Sequence, residues 1–137
     1  MSENGIRKLF VNVPVRDLVR SIAFFEKLGF VFDDRYTNES AACMVVGPDC
    51  AFMLLTKDRF RDFTTKEACD TARQAEAIFA LQAGSRAEVD EIVGRALAAG
   101  GKPSMAKIDH GFLYGGSFQD LDGHLWEVFS MDPDQAG

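Results

Sequence analysis

The 137-residue sequence is poor in the side chains that bind metals or attack substrates: it has two histidines, His110 and His124, and three cysteines, Cys43, Cys50 and Cys69. An odd number of cysteines without CxxC spacing fits neither a disulfide framework nor a zinc knuckle, so the thiols are expected to be reduced. No Ser-His-Asp or Cys-His spacing stands out. The 15 Lys and Arg are outnumbered by 21 Asp and Glu, for a net charge of -6, and they are scattered. That distribution excludes a phosphate-backbone surface, so no nucleic-acid partner is expected. No apolar run approaches the ~18 residues of a membrane span. The opening "MSENGIRK" lacks the apolar centre of a signal peptide, so the reading is of no membrane partner and a cytoplasmic location. The glycine pairs Gly100-Gly101 and Gly115-Gly116 lie outside any phosphate-loop context and read as a helix cap and a strand bend.

Apolar residues, by contrast, make up 47% of the chain, enough for one compact domain that buries roughly two thirds of its unfolded surface. "LFVNVPV" alternates, with Leu9, Val11, Val13 and Val15 on one face and Phe10, Asn12 and Pro14 on the other, as in a strand. Asp17 can cap a helix whose stripe is Leu18, Ile22, Phe25 and Leu28, with Gly29 ending it. Strands follow around "VFDDRY", "AACMVVG" and "AFMLLT", the last two joined by "GPDC", which has hairpin chemistry.

The second half repeats this order. "AIFALQA" is a strand. Ser85 and Glu88 form a capping-box pattern ahead of a helix with Val89, Ile92, Val93, Ala96 and Leu97 on one stripe. Strands "KPSMAKI", "GFLYGGSF" and "HLWEVFS" close the module. The expected fold is therefore α+β: two β-α-β-β-β modules, residues 6–56 and 75–131, joined by a polar connection at 57–74 within one domain spanning 1–137. A half of this size leaves one face of its sheet bare, so the two sheets are expected to form a curved, half-barrel mixed sheet around a cleft.

The order of these elements, "FVNVPVRDLVRSIAFFEKLGF" and the ending "DLDGHLWEV" resemble the vicinal oxygen chelate superfamily of glyoxalase I, bleomycin resistance proteins and extradiol dioxygenases. The resemblance covers Leu9 to Ser130. It implies, in catalytic members, a metal held by one ligand on the first and one on the last strand of each module. Carried onto this sequence, those positions are Phe10, Leu54, Ile78 and Glu127. Only Glu127 can donate, and one carboxylate among three apolar residues is a poor site for a divalent ion. No metal and no other cofactor is expected, a divalent ion at an unusual site being the disfavoured alternative.

The candidate cleft residues are Phe10, Asn12, Phe52, Leu54, Ile78, Gln82, His110, Tyr114 and Glu127. Asn12 and Gln82 fix a polar ligand group or bond a neighbouring strand. His110 meets a ligand or caps a strand end, and Tyr114 reaches a ligand or bonds backbone. Trp126 alternates with Glu127 and is expected to face the helices, and His124 reads as a plain turn residue. Glu127, if catalytic, is a general base. Two functions compete: a binding module for a small organic molecule without metal, or a glyoxalase-like lyase or isomerase, so enzymatic activity stays open. The superfamily resemblance, with Phe60 and Phe63 in the connection, points to a homodimer.

Overall fold

A computed structural model describes residues 4–132 of the chain. It divides into two compact units, the first ending at Ala68 and the second beginning at Cys69. Each holds one open, four-stranded mixed sheet.

In the first unit β1 (Leu9–Val15) runs into α1 (Leu18–Lys27), then β2 (Val31–Asp33), β3 (Ala41–Gly47), β4 (Cys50–Thr56) and a single-turn helix α2 (Lys57–Arg61). The sheet order is β1-β4-β3-β2, with β1 parallel to β4 and the other pairs antiparallel. Asp17 caps α1 as expected, accepting from the Arg20 amide, and Gly29 follows the helix at φ 100°. A left-handed residue costs glycine nothing, so the chain turns sharply there into β2. α1 packs on β2, β3 and β4 and buries Leu18, Ser21, Phe24 and Phe25. The Phe24 and Phe25 rings meet edge to face at 5.0 Å. Each such ring stabilises the fold by roughly 1.5–3 kcal/mol through apolar burial.

The second unit repeats the order. β5 (Ile78–Gln82) leads to α3 (Arg86–Ala98), β6 (Ile108–Asp109), β7 (Leu113–Gln119) and β8 (Leu125–Met131). The sheet order is β5-β8-β7-β6, again with a parallel first pair. Ser85 accepts from the Glu88 amide, the predicted cap. α3 packs on β7 and β8, and the approach is close: a methyl group placed on Gly116 would lie 3.1 Å from Val93 Cγ2. The core below it is aromatic, with Trp126 stacked on Phe118 at 6.3 Å and tilted against Phe79 at 5.0 Å. Trp126 faces the helix side, as its alternation predicts.

Two local expectations are corrected. "KPSMAKI" is not a continuous strand. It makes an isolated bridge from Lys102 to Gln119 and joins the sheet again only at Ile108. Between them Pro103 has no N–H to give, and side chains replace the ladder. The Ser117 hydroxyl accepts from the Met105 amide at 2.8 Å and donates to its carbonyl at 3.1 Å, and Gln119 Nε2 donates to the Pro103 carbonyl. Nor is Gly115-Gly116 a bend, since β7 pairs with β8 without a break from Leu113 to Gln119.

Candidate functional site

In the sheet of the second unit, sheet 2, the register Ala80↔Glu127↔Ser117 aligns three strands, and the next row is Gln82↔Phe129↔Gly115. Side chains of paired residues leave a sheet on the same side, so Ile78, Ala80, Gln82, Leu125, Glu127, Phe129, Gly115 and Ser117 share one face. The other face carries Trp126, Val128, Tyr114, Phe118 and Gly116, under α3. On the open face lies a pocket of about 230 Å³, walled by Ile108, Leu113 and Phe129 together with Ala80, Met105 and Ser117, and Glu127 lines it. Glu127 is half-buried, and among the described residues its carboxylate has no hydrogen-bond or ion-pair partner.

The turn before β8, the strand that carries Glu127, is closed by its own hydrogen bonds. Asp120 is 6% exposed, and its carboxylate accepts from the amides of Asp122 and His124 and from Trp126 Nε1 at 2.9 Å. Burial pushes the Asp120 carboxyl up from its ordinary value, against the pull of His124 and of these donors. His124 is not a plain turn residue. It is buried, with Nδ1 2.7 Å from Glu76 Oε1. The Thr71 hydroxyl donates to the Asp122 carbonyl, and Gly123, at φ 83°, passes so close that a side chain there would touch the Thr71 carbonyl at 3.0 Å. Segment 71–76 is thereby docked on the turn that launches β8.

Of the nine expected cleft residues, Glu127 alone lines this pocket. Tyr114 is on the helix side, where its hydroxyl donates to Asp90 Oδ1 at 2.6 Å between the cations of Arg86 and Lys107, which lie 4.7 and 5.3 Å from its ring centre. Phe52 and Leu54 register with Val11 and Val13 on the buried side of β1, whereas Phe10 and Asn12, both exposed, share the opposite face with Ala51 and Met53. The first-unit counterpart of Glu127 is therefore Met53, paired with Asn12 as Glu127 is with Ala80. Ile78 and Gln82 are on the face of Glu127 but exposed along the edge strand, outside the pocket wall. His110 is exposed in the β6–β7 turn and donates its amide to Leu113. The pocket residues that the sequence does not mark as such are Gly115, Ser117, Met105 and Ile108, brought there by the pairing of β7 with β8 and β6 and by the Ser117–Met105 hydrogen bonds.

The donor set does not fit the superfamily's four-ligand centre. Phe10, Met53 and Ile78 carry no metal-binding group of the N or O type, and among the described residues no three His, Cys, Asp or Glu side chains cluster. Cys43 is buried, and burial pushes its thiol up, away from the thiolate form that binds metals or attacks substrates.

A family model described as the Glyoxalase/Bleomycin resistance protein/Dioxygenase superfamily matches residues 9–128. The comparison with curated proteins returns no match. Among solved structures, a hypothetical protein from S. aureus is 25% identical at a TM-score of 0.77, covering 91% of this chain and 94% of that one. A glyoxalase/bleomycin resistance protein/dioxygenase family enzyme from Burkholderia phytofirmans PsJN is 15% identical at 0.73, covering 90% and 97%. The genomically encoded fosfomycin resistance protein FosX from Listeria monocytogenes is 18% identical at 0.64, covering 92% and 93%. These likenesses extend over nearly the whole chain. No helix among the described residues is long and apolar enough to cross a membrane.

Proposed function

Since the chain belongs to the glyoxalase/bleomycin resistance protein/dioxygenase superfamily, we propose that it binds a small organic molecule on the open face of its second sheet, without the usual four-ligand metal centre. The observation that carries this reading is the half-buried Glu127 carboxylate, without a partner among the described residues, beside an apolar pocket. Concave apolar sites with one or few polar anchors are the usual form of small-molecule sites. An unpaired carboxylate that has lost part of its hydration gains most from a ligand that brings a donor. Loss of three of four donors favours binding over metal-assisted lyase chemistry.

The test is a fragment titration followed by ¹⁵N NMR, with elemental analysis of the same protein. Expected are amide shifts concentrated at Gly115, Ser117, Glu127 and Phe129, and well under one metal ion per chain. Fragments that leave these four amides unmoved sink the site, and about one equivalent of transition metal sinks the metal-free reading. The homodimer belongs to the same proposal, supported by the outward-facing Phe63 beside α2. A 15 kDa particle by light scattering at micromolar concentration would overturn it.

A further inference from the structure

Gly115 and Gly116 are adjacent but face opposite sides of sheet 2, and they are glycine for different reasons. Gly116 lies under α3, where a methyl group would stand 3.1 Å from Val93 Cγ2 and 3.9 Å from Val89 Cγ1. To admit it, the Val93 side chain would have to give by a few tenths of an ångström. Gly115 meets no such demand. A methyl group there would make only ordinary contacts, 3.4 Å to the Val128 carbonyl and 3.5 Å to Phe129 Cβ, and its φ is not in the left-handed region. What glycine leaves at 115 is a strip of bare peptide on the lining of the pocket beside Phe129, one row from Glu127.

Among the described residues no cation pairs with the Glu127 carboxylate. Two cations of this unit, Arg86 and Lys107, are engaged at the helix side: Arg86 with both oxygens of Asp109 at 3.0 Å and the Gly111 carbonyl, Lys107 with Asp90 at 3.2 Å. Glu127 meets neither. The pocket of about 230 Å³ compares with roughly 150 Å³ for a cavity that holds benzene, so it takes one ring and a short chain. A flat floor of peptide with a phenyl side chain as its wall suits a planar ring.

We propose that the ligand is a small aromatic amine, its ring lying over Gly115 against Phe129 and its ammonium group on Glu127, and that Gly115 sets the size limit. This rests on the reading of the pocket as the ligand site.

Three probes of one shape test the class: 2-phenylethylamine, 2-phenylethanol and phenylacetate, each titrated into ¹⁵N-labelled protein. A charge-assisted hydrogen bond outweighs a neutral one enough that the amine should bind roughly tenfold tighter than the alcohol, with no binding of the acid. Glu127→Gln should bring amine and alcohol to within about twofold while leaving the alcohol's affinity in place. Gly115→Val should abolish binding of both, and Gly115→Ala, which the backbone accepts without strain, should weaken both. Equal binding of amine and acid, with no response to Glu127→Gln, overturns the amine class while the pocket reading stands. Undiminished binding to Gly115→Val overturns the size limit. Silence from all three probes overturns the class, and the pocket reading falls with it only if the wider fragment titration is silent at the same amides.

Discussion

The two sheets can be compared row by row, because each has a parallel first pair and an antiparallel second one. Across β1, β4 and β3 the rows of the face that carries Phe10 are Phe10–Ala51–Val45, Asn12–Met53–Cys43 and Pro14–Leu55–Ala41. Across β5, β8 and β7 the rows of the face that carries Glu127 are Ile78–Leu125–Gln119, Ala80–Glu127–Ser117 and Gln82–Phe129–Gly115. In the first sheet Ala51, Leu55, Ala41 and Cys43 are buried; in the second their counterparts Leu125, Phe129, Gly115 and Ser117 are only half-buried. The middle row changes most, since Met53 becomes a carboxylate and Cys43 a hydroxyl. One backbone plan therefore supports two kinds of surface, and the difference lies in a few side chains of the last two strands. The fold alone therefore does not fix the chemistry that each face offers.

The turns that feed the last strands differ just as much. β4 follows the turn at Gly47 and Cys50, where Asp49 is exposed, whereas β8 follows a turn closed around the buried Asp120. The largest effect is expected here. Asp120→Ala leaves three N–H donors without their acceptor and should cost about 3 kcal/mol in urea unfolding, while Asp49→Ala should stay within about 0.5 kcal/mol. Asp120 also carries a pH signature. Its folded pKa is raised, so the folded chain keeps a proton that the unfolded chain has released. That contribution is fully present below the ordinary carboxylate range and is lost as pH rises through the folded value. The stability difference between wild type and Asp120→Asn should therefore shrink as pH increases across that window; a difference that grows would contradict the raised value.

The glycine pair sharpens the comparison within one strand. Gly116→Ala forces a methyl group against Val93 and should destabilise by about 1–2 kcal/mol, an overpacking cost. Gly115→Ala, at ordinary contact distances, should change stability by no more than about 0.5 kcal/mol. Equal costs at the two positions would mean that Gly115 is constrained by the fold and not by what the pocket holds.

Much of this was legible in the sequence for physical reasons. The helix caps at Asp17 and Ser85 are local hydrogen-bond chemistry, the β1 alternation is steric, and the module repeat shows in element order. The face of β4 was not legible. "CAFMLLT" is apolar at nearly every position, so no alternation marks which residues share the side of Phe10, and the parallel register that selects Met53 over Leu54 is a long-range property. Tyr114 was misplaced for the same reason, because its face follows from the pairing of β7 with β8. The partnership of His124 with Glu76 joins residues 48 apart in the chain, and that of Ser117 with Met105 replaces a backbone ladder by a side chain. Neither leaves a periodic trace.

The smallest expected effect bears on the oddest residue. Glu127→Met gives the second sheet the side chain that the first has at the equivalent position. A half-buried carboxylate without a partner has lost hydration and gained no bond in return, whereas methionine on an apolar wall only gains contact. The substitution should therefore stabilise the protein by about 0.5–1 kcal/mol, the usual direction when a group kept for binding is removed. Binding of 2-phenylethylamine should fall to no better than that of 2-phenylethanol. If Glu127→Met instead destabilises by a similar amount, the carboxylate holds the sheet together through a bond formed in solution, and its place on the pocket wall is a structural one. Urea unfolding of the single variant separates the two, because they predict opposite signs.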